Sequence, residues 1–101
     1  MKIEGIDILC DSDFENALLM KVSRIMGILG LAQDIVGKYQ NYIRQDMAII
    51  KDGKNPNGVV AARIYQICLI SNNARTQQVI AEAAGTSAET VRHIFHKMIE
   101  R

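Results

Sequence analysis

Apolar residues recur at three- and four-residue intervals along most of the chain, and punctuation residues cut that pattern into five helical segments. The first starts at Ser12, with Leu18, Val22, Ile25 and Leu29 as its stripe and Leu19 and Met26 beside them. Ser12 and Glu15 make a capping box, Asp13 lies near the positive end of the helix dipole, and Gly30 supplies a left-handed stop. A second helix is predicted over Gln33–Ile49. Its inward stripe is Ile35, Val36, Tyr39, Ile43 and Met47, while Lys38, Asn41, Arg44 and Gln45 stay in water. The turn "KDGKN" follows it.

Asn55 then caps a third helix whose first position suits Pro56, because an N–H missing there costs nothing. The run "VVAARIYQICLI" is apolar on nearly every side, which marks a central helix wrapped by the others. Ala61 and Ala62 let neighbouring helices approach closely. A fourth helix is predicted from the cap Thr76 to Gly85, and a fifth from after Ser87 to the C-terminus. Residues 1–11 carry Ile3, Ile6 and Ile8 among Glu4, Asp7 and Asp11 and read as an extended lead-in, since no second strand-like run exists to pair with them. The expectation is an all-α domain of five helices over residues 12–101.

Composition narrows the class without naming it. A chain of 101 residues makes one domain that buries about 60–68% of its unfolded surface without staples. At 49% apolar residues it is no disordered segment. Cys10 and Cys68 belong to no CxxC pair, so they form neither a disulfide framework nor a zinc site of their own. Cys68 reads as a buried reduced thiol, which points to a reducing, intracellular compartment. No apolar run approaches the roughly 18 residues of a membrane span, and "MKIEGIDILC" is too acidic for a secretory leader. Net charge is +1: residues 1–56 hold seven basic and eight acidic side chains, residues 57–101 five and three. A domain that gripped DNA by charge alone would be far more basic.

The stretch "RTQQVIAEAAGTSAETVRHIF" has the spacing of a helix-turn-helix over about residues 75–100. Ala81 is small enough for the crossing, Gly85 takes the positive φ of the turn, and Val91 closes the core from the second helix. At 100° per residue, Val91, Ile94, Phe95 and Met98 cluster inward while Glu89, His93, His96 and Glu100 point away, flanked by Arg92 and Lys97. Arg92 is the best single candidate for a base edge; the plainer reading is a solvated surface arginine. Glu89 can accept from a cytosine amino group or simply complement the helix dipole. Thr90, His93 and His96 complete the candidate contacts on this helix, and Arg75, Thr76 and Gln77 are placed for phosphates. The competing reading of the whole stretch is a helical hairpin used only for packing.

His93 and His96 share one face with Glu89 and Glu100, but no third histidine supports them and carboxylates on a wet face are commonplace; no metal site is assigned. No nucleophile–base pairing or glycine-rich phosphate loop is present, so neither catalysis nor a cofactor is expected.

Taken together, "RIMGILGLAQDIV", "GKNPNGVVAARIYQICLI" and "RTQQVIAEAAGTSAETVRHIFHKM" resemble a cyclin-like repeat of transcription initiation factor IIB and its archaeal counterpart. The RTQ start resembles the second, C-terminal repeat more than the first. The resemblance covers about three-quarters of the chain and implies a five-helix cyclin fold. It also implies docking on the complex of TATA-binding protein and promoter DNA, with the helix-turn-helix in the major groove just upstream of the TATA box. The family's base-contacting arginine falls on Arg92; a neighbouring contact, often valine, falls on Glu89 and departs from the pattern. A cysteine-rich zinc ribbon and a first repeat are missing, so RNA polymerase would be engaged only through parts absent from this chain, whether it is a fragment of a longer factor or a short relative. Such a protein works in the nucleoid if archaeal, in the nucleus if eukaryotic, and needs no membrane. Two rivals remain open: a stand-alone helix-turn-helix regulator that reads its operator as a dimer, and a cyclin-like adaptor that binds protein alone.

Overall fold

The structure, a computed structural model, describes residues 11–99. Six helices follow one another: α1 (Asp11–Ile28), α2 (Gln33–Tyr39), α3 (Ile43–Lys51), α4 (Pro56–Ile70), α5 (Gln77–Ala84) and α6 (Ala88–Ile99). No strand occurs among the described residues. The all-α expectation therefore holds. The predicted lead-in, Cys10 and the outward placement of Glu100 lie outside the described residues, apart from Asp11, which opens α1.

The second predicted helix is two helices. At Gln40, Asn41 and Tyr42 the backbone N–H groups donate to the carbonyls of Gly37, Lys38 and Tyr39, three residues back rather than four. Such a tightened turn breaks the four-residue bonding ladder, so the helix stops at Tyr39 and a new one starts at Ile43. Gly37 and Asn41 are weak helix formers, which makes this the cheapest place to break. α3 buries Ile43, Asp46 and Met47 together.

α4 is the hub. Residues Gly58 through Ile64, with Ile67 and Cys68, are buried, and the helix packs against α2, α3, α5 and α6. Asn55 caps it by accepting from the Gly58 N–H at 3.1 Å, and Pro56 opens its first turn, as the sequence predicts. α1 closes the other side, packed on α2, α3 and α5 through Leu18, Val22, Ile25 and Met26. It begins one residue ahead of the predicted Ser12 cap and stops before Gly30, whose φ of +71° fits the expected left-handed residue.

An ion pair is buried in this core. Arg63 donates from Nη2 to Asp46 Oδ1 at 2.8 Å and from Nε to both carboxylate oxygens, while Nη1 donates to Gln66 Oε1. The Tyr42 ring lies under the guanidinium at 4.5 Å. Burial pushes the Asp46 pKa up, and Arg63 pulls it back only in part. Tyr39 is buried beside the pair; its hydroxyl makes no hydrogen bond of standard geometry, and burial, then the Asp46 charge, raise its pKa. Cys68 is the buried thiol that was expected, its pKa raised by burial.

Candidate nucleic-acid interface

The helix-turn-helix forms as its sequence predicts, and local chemistry explains each boundary. Thr76 caps α5 by accepting from the Val79 N–H at 3.1 Å. Gly85 ends α5 with φ +76° and ψ +36°, a conformation that costs L-residues about 1–2 kcal/mol. Ser87 caps α6 by accepting from the Thr90 N–H, also at 3.1 Å. Ile80, Ala81 and Ala84 of α5 and Val91 and Ile94 of α6 are buried between the two helices and α4. Phe95 is half-buried, its ring edge-on to Tyr65 at 5.0 Å, and this pins the second half of α6 to α4.

That packing leaves an outer arc on α6. Glu89, Arg92, His93, His96 and Lys97 are all exposed, which is the arrangement the helical wheel predicts. Arg92 extends from one margin of the arc. On the other margin, the loop after α3 brings Lys54 to a shallow cleft shared with His93 and Lys97 over Ile49, Ile94 and Met98. The cleft holds about 40 Å³, far below the roughly 300 Å³ of a small-molecule site, so it is surface relief rather than a ligand cavity. Lys54 was not among the residues singled out in the sequence. Nothing in its neighbourhood in the chain points to α6; only the fold brings it there.

The other candidates are placed differently. Thr90 is half-buried: its Cγ2 methyl faces Gly58 of α4, and its hydroxyl oxygen accepts from Ser87 Oγ at 2.9 Å. Arg75, just before α5, is half-buried. Its Nη1 donates to the carbonyls of Asn73 and Ala74, and its Nη2 reaches the Leu29 carbonyl at 3.5 Å, tying the α4–α5 loop to the end of α1. Thr76 is exposed; its hydroxyl oxygen accepts at the cap while its O–H stays available to donate, and Gln77 is half-buried at the first position of α5. Arg75 lines an open cleft of about 710 Å³ with Arg24, Ile28, Val79 and Glu82. No group of three or more His, Cys, Asp or Glu side chains suited to a metal occurs among the described residues. No helix among them is long and apolar enough to cross a membrane.

Comparison with known proteins places this geometry in context. The family model described as the transcription factor TFIIB repeat matches residues 15–101. Transcription initiation factor IIB 1 of Thermoplasma volcanium is 35% identical over 81 residues, 79% of this chain and 26% of its own length. Transcription initiation factor IIB of Dictyostelium discoideum is 35% identical over 75 residues, 72% of this chain and 23% of its own. The namesake from Archaeoglobus fulgidus is 28% identical over 81 residues, 79% of this chain and 25% of its own. The chain thus spans about a quarter of the length of the curated relatives it matches. No solved structure matches it.

Proposed function

The chain belongs to the transcription factor TFIIB repeat family, with the cyclin-like all-α fold of that repeat, and from that premise we propose that it is a DNA- and protein-binding module of transcription initiation. In this reading it docks on the complex of TATA-binding protein and promoter DNA and lays α6 into the major groove beside the TATA box. One observation carries the reading: α6 is held from behind by Val91, Ile94 and Phe95 while Arg92, Glu89, His93 and His96 all face outward. That is the geometry a recognition helix needs.

Arg92 takes the base-reading role, since its planar fork suits the two acceptors of a guanine edge. Glu89 lies one turn earlier, where an acceptor selects for a cytosine amino group. Lys54 and Lys97 supply phosphate contacts along one margin of α6, together with His93 and His96. Gln77, Thr76 and the outer edge of Arg75 supply them at the start of α5. Thr90 contributes chiefly by fixing the first turn of α6.

A net charge of +1 fits a module that binds through two partners at once. Each contact is weak alone, and the second becomes intramolecular once the first forms. Gel shifts of the folded chain on promoter DNA, with and without TATA-binding protein, test this. A shifted complex that needs the partner is expected; equal failure in both lanes would exclude the reading.

A further inference from the structure

α4 and α6 meet where the chain has no side chain at all. A Cβ placed on Gly58 would lie 2.7 Å from Ile94 Cδ1 and 2.8 Å from Thr90 Cγ2, closer than real Cβ contacts come. The two obstacles differ in kind. Ile94 Cδ1 is the tip of a flexible side chain and can turn aside. Thr90 Cγ2 sits on a β-branched carbon with little χ1 freedom. Its hydroxyl oxygen accepts from the Ser87 hydroxyl and its N–H donates to Ser87 Oγ, so side chain and backbone are both held. Next to Gly58, Asn57 lies under the turn, its Nδ2 3.7 Å from where a Gly85 Cβ would be, and its Oδ1 accepts from Lys21 Nζ at 2.8 Å. The first turn of α4 therefore touches both the turn and α6, and is itself tied to α1.

We propose that Gly58 is a positioning residue for the outer face of α6. Its bare backbone lets Thr90 and Ile94 seat α6 at the depth and rotation that turn Arg92 and Glu89 outward together. A side chain at position 58 lifts the N-terminal half of α6 off α4 through Thr90. Gly58 touches no ligand and acts through that contact. The remaining helical glycines of the described residues do not share the property: a Cβ on Gly27 or Gly37 meets nothing within 4 Å. The functional consequence rests on the reading of α6 as the DNA-contacting helix, whereas the geometry does not.

The test compares the wild type with Gly58→Ala, Gly58→Ala/Thr90→Ser and the control Gly37→Ala. Amide chemical shifts are read by NMR, and gel shifts are run on promoter DNA with TATA-binding protein. Gly58→Ala is expected to move amide resonances chiefly across residues 86–99 and to weaken the complex about tenfold, in the range of one lost base contact. Adding Thr90→Ser keeps the hydroxyl for Ser87 and deletes the opposing methyl. It should return the resonances and most of the affinity, or restore folding if the single variant does not fold. Gly37→Ala should change neither. Shifts spread evenly over the domain, unchanged affinity despite local shifts, or a double variant no better than Gly58→Ala would each overturn the proposal. Failure of the wild type to form the complex would count against the proposed function, while the resonances still decide the role of Gly58.

Discussion

Asp46 on α3 and Arg63 on α4 meet at 2.8 Å in the core, the carboxylate fully buried and the arginine 5% exposed. The pair bolts the short α3 to the hub helix that also carries the helix-turn-helix. Removing one partner leaves the other charge buried and uncompensated, at a cost of about 3–5 kcal/mol. Asp46→Ala and Arg63→Met should each lose roughly that much in urea unfolding, and the double variant should lose less than either alone. Additive losses would show that the two charges do not depend on each other.

The same pair gives the domain a pH signature. The Asp46 pKa is raised above the ordinary aspartate value of 3.8, burial being the larger cause and Arg63 opposing it. A raised carboxyl pKa means that the folded state holds the proton more tightly than the unfolded chain does. The contribution of this group is then greatest below pH 3.8 and falls as pH climbs through the folded pKa. Wild-type stability minus that of Asp46→Asn should decline over that window and level off above it. A rise over the same window would mean that the guanidinium outweighs burial.

Tyr39 adjoins this pair with a buried hydroxyl that makes no hydrogen bond of standard geometry. Tyr39→Phe removes a desolvated polar group and keeps the ring. Its midpoint in urea should equal or exceed that of the wild type. A loss of more than about 1 kcal/mol would reveal a working bond from the hydroxyl to Asp46.

Helices α4, α5 and α6 were legible because their boundaries are written locally: Asn55 and Pro56, Thr76 and Gly85, and Ser87 each act on backbone groups within a few residues. The break between α2 and α3 was not. Tyr39 and Ile43 are four apart, so the apolar stripe runs across the interruption and periodicity alone cannot register it. Asp46 left a trace in the sequence, a carboxylate on the inward side between Ile43 and Met47, as did Arg63 inside the apolar run of α4. Opposite charges at two inward positions announce a buried pair. Lys54 and Gly58 left less: their roles near α6 exist only once α4 and the loop before it are packed. Arg75 and Thr90 show the converse, polar side chains at promising positions whose hydrogen bonds serve the fold.

In the proposed function α6 reads bases through Arg92 while the domain is held on the TATA-binding protein–promoter complex. The most direct measurement is the affinity of the wild type and of Arg92→Ala for that complex, each on promoter DNA with the native and with substituted bases just upstream of the TATA box. The wild type should prefer the native bases. Arg92→Ala, with an unchanged melting curve, should lose about 1–3 kcal/mol on the native DNA and most of that preference. Equal affinities for the two proteins on both DNAs would contradict base reading by Arg92 and, with it, the assignment of α6 as the recognition helix.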